Sequence, residues 1–443
     1  MNTNVKLDKK KDRVAEIHSL SHDGRGIATI DRKTTFIDGA LPNETVAYQI
    51  LRKHSHYDEA KTISILQAAQ VRTPAICPHF GICGGCSLQY MSTATQLEFK
   101  QASLLNQLKH FGQVEPEKLM PALSALSSGY RRKARLGVKF VIKKNKLMIG
   151  FREKSSPYLA DLQSCAILHP KVGNRINELN LLIASLQSYK EIPQIEVAIG
   201  DEEAALVFRH LHALSIDDQE KLRDFGEQYA FHIYLQPNPP QALIKLWPAD
   251  HDERLTYSLP DYHLEYLFHP LDFTQINLEV NRLMIKQALS ALDLHAEDVL
   301  LDLFCGIGNF TLPAAKFAKE VVGIEGNQDM IERAKANAEK NNILNVNFFA
   351  DNLMGSSIQS PWTKRKYDKI LLDPPRAGAK EILPLLPFFA AETIVYVSCN
   401  PATLARDAGI LVHQYGYQLT QAGIMNMFPH TAHIEAMAVF NKK

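Results

Sequence analysis

The spacing of hydrophobic positions changes twice along the chain. From Val14 to about Ala69, apolar and polar residues alternate in short runs. These are Val14-Ala-Glu-Ile-His, Ile27-Ala-Thr-Ile, Thr34-Thr-Phe-Ile, Thr45-Val-Ala-Tyr-Gln-Ile and Ala60-Lys-Thr-Ile-Ser-Ile-Leu. A period of two broken by glycine turns such as His22-Asp-Gly-Arg-Gly predicts strands. Several short, evenly spaced strands predict a small barrel that closes its own edges. Residues 71–270 mix the two periods. Helical spacing covers Gln96 to Phe111, Arg175 to Ser188 and Asp217 to Tyr229, with strand-like runs within 130–154 and at 195–199, 205–208 and 232–235. This predicts an α+β middle domain with a loop from Pro74 to Cys86.

From Asn277 onward, helix and strand alternate. A helical stretch at Leu278 to Leu292 precedes the buried run Asp298-Val-Leu-Leu-Asp-Leu. Helical spacing returns at 312–317 and 327–341. Further strand runs are Glu320-Val-Val-Gly-Ile-Glu, Val346-Asn-Phe-Phe, Lys369-Ile-Leu-Leu-Asp and Thr393-Ile-Val-Tyr-Val-Ser. Such alternation predicts a doubly wound, mostly parallel α/β sheet that binds ligands at the carboxyl ends of its strands. The expectation is therefore a multidomain chain: an all-β barrel at 1–70, an α+β domain at 71–270 and a Rossmann-like domain at 271–443. The polar, lysine-rich first thirteen residues are expected to fray.

Composition narrows the class. The 443 residues are 46% hydrophobic and 22% charged, with 49 Lys+Arg against 48 Asp+Glu. That is a folded protein, and its net charge of +1 makes no whole-chain argument for nucleic acid. No apolar run reaches the roughly 18 residues of a membrane span. The opening MNTNVKLDKKKDR has no apolar segment behind it and is no secretory signal. A cytoplasmic protein is expected, in which six reduced cysteines serve as ligands or nucleophiles rather than disulfides.

One glycine loop follows the buried strand run, Asp302-Leu-Phe-Cys-Gly-Ile-Gly-Asn-Phe. Two glycines let the backbone approach a ligand at a helix start. The dinucleotide fingerprint wants a third glycine where this chain has Thr311, which disfavours a pyrophosphate. Acids before the loop (Asp302) and at the end of the next strand run (Glu325) suit a ligand with a ribose and no phosphate. Asp351-Asn352, after the third, is placed to meet an adenine. S-adenosylmethionine fits this pattern better than a nicotinamide cofactor.

Two further strand runs end in Asp373-Pro-Pro-Arg376 and Ser398-Cys399-Asn400-Pro401. With Phe428-Pro-His-Thr-Ala-His-Ile-Glu435, the loop Phe304-Cys-Gly-Ile-Gly-Asn-Phe and Asp272-Phe-Thr-Gln-Ile-Asn277, they form an ordered set that resembles the RNA uracil-5-methyltransferases. The resemblance implies a thiolate nucleophile at Cys399 and a base at Glu435. It implies cofactor contacts from Gln275, Phe304, Asn309, Glu325, Asn352 and Asp373, with Arg376 orienting the uracil or stabilising its enolate. Cys305 reads as packing. His430 and His433 read as supports for the Glu435 loop.

Cys77-x5-Cys83-x2-Cys86 lies in a glycine-rich loop, with Cys165 far downstream. Four thiolates suit zinc or an iron–sulfur cluster. Three close cysteines and one remote one fit [4Fe–4S] better than the paired units of zinc sites. The arrangement, with Leu88-Gln-Tyr after the triplet, resembles the iron–sulfur branch of the same family. Gly24-Arg-Gly-Ile-Ala and Phe36-Ile-Asp-Gly-Ala-Leu-Pro-Asn-Glu resemble a TRAM domain, an OB-like RNA-binding barrel. Between Tyr130 and Lys154 stand ten basic residues: Arg131, Arg132, Lys133, Arg135, Lys139, Lys143, Lys144, Lys146, Arg152 and Lys154. The expectation is a phosphate-facing surface on which Tyr130 and Phe151 stack bases. Barrel, cluster and catalytic motifs together resemble the branch acting on 23S ribosomal RNA, with no membrane and no obligate protein partner. The same chemistry at another 23S rRNA uridine or in tRNA, and a non-catalytic RNA-binding protein on the same scaffold, remain the alternatives.

Overall fold

The computed structural model describes residues 13–238, 243–249, 252–355 and 360–442; of the thirteen residues expected to fray, 1–12 lie outside these, and Arg13 opens a strand instead. The chain forms two compact units. One comprises residues 1–103, 152–158 and 428–433, and the other 104–151, 159–427 and 434–443.

The first unit is built on a six-stranded sheet. Its strands are Arg13–Glu16, Ser19–Leu20, Gly26–Ile30, Lys33–Asp38, Thr45–Lys53 and Tyr57–Gln67, and the fifth and sixth lie between the first and the fourth. Alternation is visible in its core: Ala15, Ile17, Ala28, Ile37, Val46, Tyr48 and Ala60 are buried together. The expected strands are present, and Ser19–Leu20 is added as a short partner of Gly26–Ile30. Glu44 is buried at the end of this core. Its carboxylate accepts from Arg72 at 2.5 and 2.7 Å and from the Leu41 backbone N–H at 2.8 Å. Charge and hydrogen bonds are thus satisfied together, which a buried carboxylate requires.

The second unit carries three sheets. One is six-stranded and contains Lys133–Val141, Lys146–Gly150, Gln194–Ile199, Ala204–His210, His232–Pro237 and Ile244–Trp247. The hairpin Leu255–Leu259 with Leu264–Phe268 forms a sheet of its own. The third sheet has eight strands. Val346–Ala350, Glu320–Glu325, Val299–Leu303, Lys369–Leu372 and Thr393–Ser398 lie side by side in that order, all parallel. Strand order reverses on either side of Val299–Leu303, which opens a crevice at the carboxyl ends. Beyond Thr393–Ser398 the sheet turns antiparallel with Glu435–Lys442, then Tyr417–Met425, and ends at the short strand Lys118–Leu119.

Those last two long strands and the helix Pro401–His413 are not foreshadowed by the hydrophobic pattern. Glu435–Lys442 is buried on both faces from Ala436 to Phe440 and rich in alanine, so it shows neither alternation nor a β-branched run. The hairpin spanning Leu255 to Phe268 also escapes the pattern, yet it braces the site. Tyr257 and Tyr266 stack with centroids 4.7 Å apart, and helix Gln328–Lys340 reaches the hairpin edge. There the Asn337 side-chain amide exchanges two hydrogen bonds with the Leu267 backbone, at 2.8 and 3.2 Å.

Replacing Arg72 with Met leaves the Glu44 charge buried without its counterion. A loss of about 3–5 kcal/mol is expected for the first unit. Hydrogen exchange should accelerate in Thr45–Lys53 and stay unchanged in Val299–Leu303; equal protection of both in variant and wild type would contradict this.

Candidate active site

The glycine loop begins where Val299–Leu303 ends. Phe304, Gly306 and Gly308 all take left-handed backbone, at φ 68, 57 and 89°. Glycine does so freely; Phe304 does so at a cost of about 1 kcal/mol or more, a strain typical of ligand loops. Thr311, the residue that breaks the dinucleotide fingerprint, donates its hydroxyl proton to buried Asp302 at 2.5 Å. It is therefore a structural partner of the acid before the loop. Burial, with Asp373 and Glu325 nearby, pushes the Asp302 carboxyl up to about 7. Glu325 ends the neighbouring strand. It accepts from the backbone N–H groups of Gly306 at 3.3 Å and Asn327 at 3.0 Å, so its carboxylate stands across the loop mouth. Asp351 accepts from the Trp362 indole at 2.5 Å, and Asn352 makes a local turn to the Met354 N–H. Cys305 is buried against Gly323, in agreement with a packing role.

Asn309 is placed differently from a simple ligand contact. Its amide exchanges two hydrogen bonds with Asn281, at 2.9 and 3.0 Å, and accepts from the Tyr257 hydroxyl at 3.1 Å. Tyr266 donates to the Gly308 carbonyl at 3.1 Å. Tyr257, Tyr266 and Asn281 thus hold the loop from behind. No local motif marks them, which is why the sequence does not reveal them. Gln275 lines a small cleft with Tyr257 and Asn281 and so shares this neighbourhood.

Cys399 follows the last residue of Thr393–Ser398 and precedes the helix Pro401–His413, which Asn400 caps by accepting from the Ala402 N–H at 3.1 Å. Antiparallel pairing sets Ser398 opposite Ala436, so Glu435 starts its strand beside Cys399. Asp373 and Arg376 leave the adjacent parallel strand on the other side. Burial pushes the Cys399 thiol up to about 11, aided by the negative charges of Glu435 and Asp373 and opposed by Arg376. Burial also lifts Asp373 to about 7. The structure thus brings Cys399, Glu435, Asp373 and Arg376 into one electrostatic neighbourhood, with a protonated thiol at neutral pH.

The segment Phe428–His433, just before Glu435 in sequence, belongs to the first unit. The Ser87 and Leu88 N–H groups both donate to the His430 carbonyl at 2.9 Å. The Gln96 side chain accepts from the His430 N–H at 2.8 Å, and buried Lys100 donates to the Phe428 carbonyl at 2.9 Å. His430 is buried with left-handed backbone, φ 65°, and His433 packs edge-on against Phe428. Both histidines therefore sit in a segment fastened within the first unit.

Cys77, Cys83 and Cys86 are half-buried in one loop of the first unit, where the Gly85 N–H donates to the Cys83 sulfur at 3.4 Å. Cys165 is half-buried in the second unit, its N–H bonded to the Gly173 carbonyl at 2.8 Å. Among the described residues, no group of three His, Cys, Asp or Glu side chains is gathered as a metal site.

The basic window is not a uniform phosphate-facing surface. Half-buried Lys133 donates to the carbonyls of Pro270, at 2.9 Å, and Asp272, and desolvation lowers it to about 8. Arg132 bonds the Gly200 carbonyl, and its N–H donates to Ile276 at 2.9 Å. Arg135, Lys146 and Lys154 pair with Glu196, Asp161 and Asp38. Tyr130 is buried and offers no stacking face, while Arg131 lies 5.8 Å from the Phe151 ring centre. Arg132 and Lys133 hold the segment from Pro270 to Ile276; Lys139, Lys143 and Lys144 are exposed. A charge count along the sequence cannot separate these uses.

The sequence profile of the tRNA (uracil-5-)-methyltransferases matches residues 94–443. The 23S rRNA (uracil(1939)-C(5))-methyltransferase of Hahella chejuensis is 50% identical over 432 residues, 96% of each chain. Its namesake from Alcanivorax borkumensis is 49% identical over 428 residues, 97% of this chain and 96% of that one. Among solved structures, the tRNA (uracil-54, C5)-methyltransferase of Pyrococcus abyssi, in complex with S-adenosyl-L-homocysteine, superposes with a TM-score of 0.73 at 24% identity. The match covers 96% of this chain and 99% of that one and bears on the fold.

Alkylation of Cys399 by iodoacetamide, followed on the intact protein by peptide mass spectrometry, is expected to titrate with a midpoint near pH 11. Glu435→Gln removes a negative neighbour, so the midpoint should fall and the rate at pH 8 should rise. An unchanged profile would mean that Glu435 does not face the thiol.

Proposed function

The chain belongs to the tRNA (uracil-5-)-methyltransferase family, and from that premise we propose that it methylates carbon 5 of a uridine in 23S ribosomal RNA, at the position numbered 1939 in its relatives' names. The observation that carries the chemistry is the meeting of Cys399, Glu435, Asp373 and Arg376 at adjoining strand ends. The identity over nearly the full length supports the ribosomal substrate over tRNA, and the assembled set of reactive groups favours an enzyme over a non-catalytic scaffold.

S-adenosylmethionine supplies the methyl group as an electrophilic sulfonium. The loop from Phe304 to Asn309, with Glu325, Asn352, Asp373 and Gln275, would hold it. The donor set fits: a carboxylate at a strand end for ribose hydroxyls, and acids raised by burial that gain from a nearby positive charge. Cys399, once deprotonated, adds to carbon 6 of the uracil. Carbon 5 of the resulting enolate takes the methyl group. Glu435 then accepts the carbon 5 proton, and the thiolate leaves as the double bond re-forms. Arg376 is the cation near the thiol and stabilises negative charge there and on the enolate.

Cys77, Cys83, Cys86 and Cys165 would hold a [4Fe–4S] cluster. Soft thiolates and a backbone N–H aimed at the Cys83 sulfur suit it. Uracil methylation needs no electron transfer, so the role is structural or RNA-contacting. The sheet at residues 13–67 acts as a TRAM-like RNA-binding barrel, and the exposed Lys139, Lys143 and Lys144 supply phosphate contacts of their own. The reading places the protein in the cytoplasm with its RNA; among the described residues no helix is long and apolar enough to cross a membrane.

Glu435→Gln should add its thiol to RNA and transfer the methyl group but fail to eliminate. A denaturing gel should then show a retarded protein–RNA band carrying both an RNA label and the methyl label. A 23S fragment containing the target uridine should give it and a tRNA should not. Cys399→Ala should give no band with either. An adduct without Cys399, or normal turnover by Glu435→Gln, would reverse these roles.

Protein purified without oxygen should be brown and carry about four iron atoms per chain. Stoichiometric zinc without iron would overturn the cluster, whatever the activity.

A further inference from the structure

The helix after the nucleophile does more than terminate its strand. Pro401–His413 and its cap turn residues 400, 403, 406 and 407 toward one stretch of backbone, the turn that follows Asp373-Pro-Pro-Arg376. This spacing of three and four places them along one face of the helix. Asn400 donates its side-chain N–H to the Arg376 carbonyl at 3.0 Å. The Thr403 hydroxyl shares its proton between that carbonyl at 3.3 Å and the Asn400 carbonyl at 3.0 Å. Arg406 donates to the Ala377 carbonyl at 2.9 Å. The Ala379 N–H donates to Asp407 at 2.8 Å.

Asp407 is the centre of this arrangement. It is fully buried in the apolar stripe of the helix, between Leu404 and Leu411. One of its oxygens accepts from Ala379 and from the Tyr396 hydroxyl, the latter at 2.7 Å. The other accepts from Arg406 at 2.8 Å. Tyr396 lies on the strand that ends beside Cys399, so Asp407 connects that strand, the helix and the turn. Gly378 shows how closely they fit. Its φ is +83°, and a Cβ there would lie 2.6 Å from both the Asp407 and Arg406 side chains.

A buried carboxylate is costly unless each lone pair is used, and this one is used for positioning rather than for chemistry. Nothing in the reaction requires an acid on the far side of the turn from Cys399. We propose that Asp407, with Thr403 and Asn400, is a positioning set that holds the Arg376 turn against the Cys399 strand end, and that methyl transfer depends on it. The proposal rests on the reading of Cys399 as the nucleophile. The charged groups facing the thiol are Glu435 and Asp373 on the negative side and Arg376 on the positive side. Only the last is carried by the clamped turn, so loosening the clamp should weaken the one side-chain charge that favours the thiolate, leaving the backbone hydrogen bond at Cys399 in place.

The test compares Asp407→Asn, Thr403→Val and Cys399→Ala with wild type in the full-length protein. Thr403→Val removes one half-buried hydroxyl and keeps the shape, so it serves if Asp407→Asn fails to fold. Three quantities are measured per folded molecule: the affinity for S-adenosylmethionine by calorimetry, kcat and KM on the RNA, and the pH profile of Cys399 alkylation. Both clamp variants should lower kcat by roughly ten- to a hundredfold, as expected when a catalytic group shifts by about an ångström. Cofactor affinity should be unchanged, and the alkylation midpoint should move to higher pH. A lower melting temperature with unchanged kcat and an unchanged profile would overturn the proposal, since a merely structural role gives that result. Cys399→Ala separates the two levels. If it still forms the RNA adduct, the nucleophile reading fails and the clamp with it; if it forms none while the clamp variants keep wild-type kcat, only the clamp fails.

Discussion

Antiparallel entry of the last strand into a parallel sheet is the constraint on which this site depends. Glu435–Lys442 lies between Thr393–Ser398 and Tyr417–Met425, running against the first. A parallel partner would bring its far end to the crevice; an antiparallel one brings its beginning. Register matters as much as direction, because a one-residue slip would turn the Glu435 side chain to the opposite face. Burial of Ala436, Met437, Ala438, Val439 and Phe440, each at most 1% exposed, resists such a slip. The hydrophobic core thereby sets where the carboxylate stands.

Gathering acids around a thiol has an electrostatic cost. Asp302 and Asp373 are both raised from 3.8 to about 7, chiefly by burial, and Cys399 to about 11. For carboxyls raised in the folded state, the favourable contribution is complete below about pH 4 and is lost as pH rises through about 7. At neutral pH the site thus stores unfavourable negative potential. A cationic methyl donor relieves it, and Arg376 relieves part of it permanently. The left-handed Phe304 adds backbone strain at the same place. Stability elsewhere, in the doubly buried central strands, offsets both.

Polar side chains do much of the holding. Asn281 and Asn309 exchange amide hydrogen bonds behind the cofactor loop, and Asn337 extends the hairpin ladder with its side chain. Lys133, which the sequence presents as one more cation in a basic run, is spent on the carbonyls of Pro270 and Asp272. In each case the partner is far away in sequence, and only burial makes the pairing obligatory.

The periods of the hydrophobic pattern determined the class of each region, because alternation and helical spacing are local consequences of which face is buried. Strong motifs at strand ends, such as Asp373-Pro-Pro-Arg376 and Ser398-Cys399-Asn400-Pro401, determined which residues are the candidates for the chemistry. Those residues follow runs of apolar strand, and a parallel sheet opens at those ends. What the chain could not state locally is everything set by long-range pairing. The direction and register of Glu435–Lys442, the tyrosine hairpin behind the glycine loop, and the inward turn of Arg132 and Lys133 each join segments separated by tens to hundreds of residues. Asp407 interrupts an apolar stripe, but nothing local names Ala379 and Tyr396 as its partners. Tertiary structure decided these points because a hydrogen bond or ion pair is specified by proximity, and the chain acquires that proximity only when its core has closed.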